Sequence, residues 1–448
     1  MGRIFAPHFF EYIKNMKNTI GLTEACNLIA TDQLKPKDLL QACFDKANEV
    51  EPVLKAFVSR ASFDSMAEQI IPGPLSGIPI AAKDIINTVD LPTTNGSPIY
   101  QDKTPAEEAA IIKKIRSLGG VIFGKTVTTE FAWRNPGPTT NPVNAEHTPG
   151  GSSSGSAASV GAGVVPLALG SQTQGSIIRP AAYCGVVGYK ASYGAVSKQG
   201  AHALSYSLDH IGFFTRSVDD MAFAFNSLKN SDESDPELIV LPDLVFSVKR
   251  EIPMLDKPKI AFLETPLDHM MSDEQKQTLN AAAKKLEESG AIVQKLSLPQ
   301  EYWDGIGAMN LILESEAAEI HAHHSEHAND LLSIHIQELV ARGLKHSAPA
   351  YIAAKFLQKK LRASIASYFN EFDAFLMAPA SGEAPKSLVS TGDPIFCALW
   401  SFLGTPSITI PAGKSTNGLP LGIQLIGNYR GDAKLLSVAK FSESALAK

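Results

Sequence analysis

Residues 148–193 read TPGGSSSGSAASVGAGVVPLALGSQTQGSIIRPAAYCGVVGYKASY, and the rest of the chain is organised around them. Two glycine-rich turns each present a serine, Ser152 early and Ser176 later. Between them runs a small-residue, apolar segment from Ala157 to Leu169. Glycine allows tight turns and lets a ligand come close to the main chain. Two such turns joined by a close-packing element describe a site built from backbone amides and hydroxyls. A flexible Gly/Ser linker has a similar composition. Linkers, however, do not continue into Val164, Val165, Leu167 and Leu169 and then Ile177 and Ile178.

Working outward, the 448 residues are 44% hydrophobic and 19% charged, the balance of an ordinary globular protein. The net charge of −6 and the lack of any Lys/Arg block argue against a nucleic-acid partner. Cys26, Cys43, Cys184 and Cys397 are widely spaced without a CxxC pair, which fits a reducing compartment and opposes a zinc or disulfide framework. No apolar run approaches the ~20 residues of a membrane span. The segment Ile4 to Ile13 is a poor signal peptide, so the expected location is the cytoplasm. Met16 is a candidate alternative start, with a disordered tail before it.

Apolar spacing predicts helices over Thr23–Ala30, Lys37–Val50 and Ser62–Ile71, a strand ending at Lys83, a helix over Ala106–Ser117 and a strand over Val121–Phe123. Ser156–Gly163 reads as a helix of small residues buried against neighbouring backbone, and Val186–Tyr189 as a strand. A helix over Ser217–Leu228 has Ser217 as N-cap and two aspartates in its first turn. Asn230–Pro258 reads as loop. Strands follow at Lys259–Leu263, Ala291–Leu296, Ala374–Ala378 and Leu421–Gly427. Helices are expected over Ser272–Ser289, Leu311–Arg342, Ala350–Asn370 and Asp432–Ala447, with a loop over Ala380–Pro394. No internal repeat appears. This rhythm predicts an α/β fold whose mixed, twisted central sheet has helices on both faces.

Several motifs together are specific: Gly77-Ile-Pro-Ile-Ala-Ala-Lys83-Asp84, Pro149-Gly-Gly-Ser152-Ser-Ser-Gly-Ser156, Gly175-Ser176-Ile-Ile-Arg179-Pro180 and Gly185-Val-Val-Gly-Tyr-Lys190. Ser207-Leu-Asp-His-Ile-Gly212, Gly404-Thr-Pro-Ser-Ile-Thr-Ile-Pro411 and Leu419-Pro-Leu-Gly-Ile-Gln424 extend the set. The chain thereby resembles the amidase signature family over roughly residues 20–440. The resemblance implies one domain over 1–448: a helical layer at 1–65, a signature core at 70–230, a more variable helical part at 231–345, and a part closing the sheet at 346–448.

The resemblance further implies a Ser–cisSer–Lys triad, with Ser176 as nucleophile, Ser152 as bridging serine after a cis Gly151–Ser152 bond, and Lys83 as base. The chemistry is consistent. A serine hydroxyl is a weak nucleophile that needs a base within hydrogen-bond reach. Burial can lower a lysine's pKa enough for that task, and a hydroxyl can accept one proton while passing on another. Alone, Lys83 would read as a surface lysine at a strand end, and Ser152 as a helix N-cap, a place Ser153 or Ser154 fills equally well. Asp84 reads either as support for the lysine and nearby backbone or as a turn residue.

The family pattern implies an oxyanion held by N–H groups of Thr173, Gln174, Gly175 and Ser176. Where relatives have Gly-Gly-Ser, this chain has Gln174-Gly175-Ser176. A positive φ at Gln174 would add roughly 1–2 kcal/mol of strain; the expectation is a tolerated backbone with the Gln174 amide reaching toward substrate. Arg179 stands three positions after Ser176, where many family members have an arginine two positions after. That spacing is similar to the malonamidase-like branch, in which the arginine can bind a substrate carboxylate, a task its planar fork suits. The competing role ties the loop to the sheet.

His321, His323, His324, His327 and His335 read as a solvated face of one helix, since no HExxH motif or nearby cysteine makes a metal set. Trp133, His202, Tyr206 and Trp400 are pocket or core candidates. The expected activity is hydrolysis of a small carboxamide, bearing a carboxylate, to acid and ammonia through a seryl acyl-enzyme. Neither metal nor organic cofactor is implied, and the only expected partners are the substrate and a second copy in a homodimer. The competing readings are an A subunit of a tRNA-dependent amidotransferase, and a binding protein whose oxyanion loop Gln174 has spoiled.

Overall fold

The computed structural model describes residues 20–232 and 234–447; Met16 and the segment before it lie outside them. The N-terminal layer is α1 (Leu22–Ala30), α2 (Pro36–Leu54) and the short α3 (Phe63–Glu68), with strand β1 (Phe57–Arg60) between the last two. Ser62 caps α3, its hydroxyl accepting the Ser65 N–H. The signature stretch and its flanks supply β2 (Pro79–Lys83), α4 (Ala110–Ser117), β3 (Val121–Thr126), α5 (Ser154–Gly161), β4 (Leu167–Gln172), α6 (Ile178–Cys184), β5 (Val187–Lys190), β6 (His210–Thr215) and α7 (Val218–Leu228). Beyond a long connection come β7 (Lys259–Glu264), α8 (Asp273–Glu288), β8 (Ile292–Ser297), α9 (Gln300–His327), α10 (Ile334–Gly343) and α11 (Ala348–Ile365). The chain closes with β9 (Ala374–Met377), α12 (Ile395–Leu403), β10 (Ser407–Lys414), β11 (Pro420–Ile426) and α13 (Asp432–Leu446).

Among the described residues, all strands join one 11-stranded sheet in the order β1-β3-β2-β4-β6-β5-β10-β11-β9-β7-β8. It is mixed. β2 runs parallel to β3 and β4, and β7 parallel to β8 and β9, while the pairs between are antiparallel. Every residue of β2, β3, β4, β5, β6, β9 and β11 is buried. Side chains alternate faces along a strand, so burial of all of them requires cover on both faces. The protein is α/β, with the expected mixed central sheet between helical layers.

The sequence pattern missed β1, β4, β6, β10, α6 and α12. It also ran one helix through Leu311–Arg342, where α9 ends at His327 and α10 starts at Ile334. The small-residue helix is real: a Cβ on Gly155 would lie 2.1 Å from the Ala56 carbonyl oxygen and 2.5 Å from Val127 N, so only glycine admits that backbone approach. α5 thus lies tight against β3 and sets the turn before it, which carries Ser152.

Candidate active site

Lys83 ends β2, a strand with no exposed residue, and its own side chain is fully buried. Its Nζ lies 2.7 Å from Ser152 Oγ and 2.8 Å from Ser171 Oγ. Burial pushes the ammonium down to about 7 from an ordinary 10.5, and the charge of Asp209 works in the other direction. The Gly151–Ser152 peptide bond is cis. The turn around it is tied down on every side. Ser154 Oγ donates to the Gly150 carbonyl at 2.8 Å, Ser153 Oγ to the Ser171 carbonyl at 3.1 Å, and Thr129 N to the Ser152 carbonyl at 3.2 Å. Ser153, not Ser152, takes the N-cap position of α5, which leaves the Ser152 hydroxyl to Lys83.

Ser152, Ser176, Gln174 and Arg179 line one cavity of about 360 Å³. Ser176 stands in the turn between β4 and α6, and Gln172 at the end of β4 shapes that turn. Its Oε1 accepts the N–H of Ile177 at 2.8 Å and of Ile178 at 3.0 Å, while its Nε2 donates to Ser401 Oγ at 3.0 Å. Ser401 Oγ in turn donates to the Gln174 carbonyl at 2.7 Å. Among the described residues, the N–H groups of Gln174, Gly175 and Ser176 have no acceptor. Gly175 packs so closely that a Cβ would sit 3.0 Å from Pro394 Cβ and 3.2 Å from Cys397 Cβ. Thr173 faces away from this cavity, its hydroxyl donating to Asp209 Oδ1 at 2.5 Å.

The backbone at Gln174 is unstrained, as expected, since the residue is absent from the positive-φ residues. Its amide, against expectation, does not run free into the cavity: Nε2 donates to Asn310 Oδ1 on α9 at 2.8 Å. Arg179 is almost fully buried on α6. Nε donates to the Thr391 carbonyl at 2.8 Å, and Nη2 to the Gly151 carbonyl at 2.7 Å and Thr391 Oγ1 at 3.2 Å. That is the structural role. Its Nη1 is buried without a partner, and no carboxylate lies in ion-pair contact among the described residues. The guanidinium thus retains one unused donor, and the residue lines the same cavity as Ser176.

Asp84 does not touch Lys83. Its Oδ1 pairs with Lys125 Nζ at 3.2 Å, both side chains fully buried, and its Oδ2 accepts the N–H and hydroxyl of Thr94. It braces the adjacent strand and the 92–94 segment. The histidine expectation is also corrected. His335 belongs to α10 and lines the cavity, and His321 is fully buried between His202, 5.6 Å away and near parallel, and Phe131 at 4.6 Å. His323 and His327 are exposed, and no group of described residues could hold a metal ion. Trp133 lines the cavity; His202 and Tyr206 line a second one; Trp400 is core, its Nε1 donating to Met377 Sδ at 3.0 Å.

Sequence reasoning missed Ser171, Gln172, Arg134, His335 and the 389–394 wall. No local signal marked the last three, which meet Ser176 only through the fold. Arg134 is exposed on the rim with its guanidinium 4.9 Å from the Trp133 ring centroid, on a stretch where Phe131, Ala132 and Arg134 all have positive φ.

The fold is that of an enzyme scaffold for amide bonds. The chain belongs to the amidase family, whose profile matches residues 38–436. It is 33% identical to the A subunit of glutamyl-tRNA(Gln) amidotransferase from Halothermothrix orenii, covering 95% of this chain and 97% of that protein. Among solved structures, a protein described as an amidase superposes with a TM-score of 0.83 at 28% identity, over 95% of this chain and 99% of that one. The peptide amidase PAM, bound to the competitive inhibitor chymostatin, gives 0.82 at 28% identity, over 95% and 97%. Among the described residues, no helix is long and apolar enough to cross a membrane.

Proposed function

We propose that the protein hydrolyses a small carboxamide that carries a carboxylate, as the malonamidase-like spacing of Arg179 suggests. The observation that carries this reading is the 2.7 Å contact between Ser152 and a buried lysine whose pKa falls to about 7, in the wall of the cavity that holds Ser176. In the reaction, Ser176 Oγ attacks the amide carbonyl and its proton passes to Ser152, whose own proton moves to Lys83. The free N–H groups of the 174–176 turn receive the oxyanion, the type of interaction that contributes most to such catalysis. The C–N bond then breaks while the nitrogen takes the proton back through Ser152, and ammonia leaves. Water, activated by the same pair, releases the acid from Ser176. Arg179 Nη1, buried and without a partner, is the donor left to give the substrate carboxylate a charge-assisted hydrogen bond.

The test has two parts. A fluorophosphonate should label the protein, and Ser176→Ala should abolish labelling. Ammonia release should then be measured over malonamate-like, biuret-like, aryl and aliphatic amides. Labelling that survives Ser176→Ala removes the nucleophile assignment, and equal rates on charged and neutral amides remove the carboxylate preference.

A second reading has support of its own. The relative at 33% identity is the A subunit of an amidotransferase, and this chain spans 97% of it. In that role the released nitrogen would pass to a partner protein rather than to water. Stable co-purification of such partners from the source cell, with activity only in the complex, would favour it.

A further inference from the structure

Behind the Lys83–Ser152 contact lies a second cavity, of about 200 Å³, that the reaction as written does not use. Ser171 forms part of its wall, and the Ser171 hydroxyl is the other partner of Lys83 Nζ, at 2.8 Å. Asp209 lines the same cavity. This aspartate is held in place by three hydrogen bonds. Oδ1 accepts from Thr173 Oγ1 at 2.5 Å; Oδ2 accepts the N–H of Leu204 at 2.8 Å and of Ser205 at 3.0 Å. One carboxylate therefore faces the Lys83 side of the sheet and grips the residue that opens the oxyanion turn.

We propose that Asp209 is a positioning residue of the reaction, supplying across the Ser171-walled cavity the counter-charge for the ammonium that Lys83 becomes, and anchoring the oxyanion turn through Thr173. The proposal rests on Lys83 being the base. Placement decides the effect. An acid in direct contact would hold the lysine permanently charged, whereas none at all would leave the transient ammonium unsupported in a buried site. Among the described residues, Asp209 is the acid whose charge acts on Lys83, and it does so without an ion-pair contact.

Of the neighbouring charged groups Lys198 acts on Asp209, and the others are otherwise engaged. From the loop before β6, Lys198 pairs with Glu237 at 2.9 Å, and His202 is pushed down to about 4 by burial, so it is neutral near pH 7. Asp235 accepts from Ser197 Oγ at 2.6 Å. On β6 itself, burial pushes His210 well below the usual imidazole range. From α9, Glu316 takes the hydroxyls of Ser205, Ser207 and Tyr351, and the buried His321 is neutral.

The experiment follows the rate of Ser176 labelling by a fluorophosphonate against pH in the parent, Lys83→Ala, Asp209→Asn and Thr173→Val. The parent should show an acid limb near pH 7, and Lys83→Ala should lose both limb and rate. A parent without that limb overturns the base assignment itself. Given the limb, Asp209→Asn should move it down by about one pH unit. Thr173→Val, which breaks the anchor but keeps the charge, should lower the plateau rate and leave the limb where it was. An unmoved limb in folded Asp209→Asn overturns the proposal alone. Should that variant fail to fold, Lys198→Met serves instead. Freeing Glu237 and removing a cation facing Asp209 should raise the limb, and an unmoved limb is again a refutation.

Discussion

Replacing Lys83 by methionine should abolish activity and yet stabilise the protein at neutral pH. In the folded chain burial holds the ammonium to about 7, against an ordinary 10.5 that the unfolded chain retains. Below pH 7 both states hold the proton, and the folded state carries the whole cost of a buried charge. Between pH 7 and 10.5 the unfolded chain binds the proton and the folded chain does not, so stability rises with pH; above 10.5 the penalty is gone. Across that interval the penalty amounts to about 5 kcal/mol, at about 1.4 kcal/mol per pH unit. Methionine has similar length and no charge. It forfeits the hydrogen bonds to Ser152 and Ser171, at 2.7 and 2.8 Å, each worth about 1 kcal/mol. The net gain should be about 2–3 kcal/mol at pH 7, turning into a loss of about 2 kcal/mol near pH 10.5. Urea midpoints followed by tryptophan fluorescence at the two pH values, with both chains side by side, measure it. Other groups titrate equally in both chains and cancel in the difference. A Lys83→Met chain that is less stable at both pH values, or whose difference from the parent does not change with pH, would refute the reasoning.

Three further outcomes are expected. Arg179→Ala should lower kcat/KM for carboxylate-bearing amides by roughly 10- to 100-fold more than for neutral ones, both losing something as Gly151 and Thr391 come loose; equal losses in the two substrate series would leave Arg179 a purely structural residue. Gln174→Gly removes the bond to Asn310 and should change relative KM values among amides by ~2- to 10-fold, with kcat on a small amide held; a uniform gain on all amides would show glutamine to be a defect of the turn. Lys125→Met strands Asp84 in the interior and should destabilise by about 3–5 kcal/mol in urea unfolding; a neutral effect would mean that Asp84 is not ionised in the folded chain.

What the sequence disclosed and what it hid follow from the same packing. Lys83, Ser152 and Ser176 stand out as candidates in the sequence because their glycine-rich surroundings are local and unusual, and the structure brings Lys83 to Ser152 and puts Ser152 and Ser176 in one cavity wall. β4 and β6 do not stand out, because each carries a glycine where the strand meets a neighbour. A Cβ on Gly170 would lie 2.6 Å from the Phe214 ring and 2.8 Å from Ser153 Oγ, and one on Gly212 would lie 2.3 Å from the Tyr189 carbonyl. In a sequence such glycines read as turns. With all positions buried these strands also lack alternation, the signal on which strand recognition depends. α12 hid for a related reason: IFCALWSFL is buried from Phe396 to Leu403 and has no polar face to give it a helical period. The far wall of the cavity, His335 and 389–394, reaches Ser176 only after the sheet has closed, and no local pattern encodes that.

The proposal that Lys83 is the base rests on what each buried lysine touches. Among the described residues, three lysines are fully buried, and burial lowers all of them: Lys83 and Lys190 to about 7, Lys125 to about 8. Depressed basicity alone therefore selects nothing. Their partners do. Lys125 faces the Asp84 carboxylate at 3.2 Å, a contact that favours the charged form, and its one hydroxyl partner, Thr93 at 2.5 Å, does not line the cavity that holds Ser176. Lys190 donates to the main-chain carbonyls of Thr405 at 2.5 Å and Ala191 at 3.4 Å, acceptors that hold no proton to give up. Of the three, Lys83 alone meets two hydroxyls, groups able to surrender a proton to a neutral amine, and one of them, on Ser152, belongs to the wall of the cavity that contains Ser176. On the proposed mechanism a base needs a neighbour that keeps its proton until substrate arrives, and Lys83, with the Ser152 hydroxyl at 2.7 Å in the wall of the Ser176 cavity, is the buried lysine so placed.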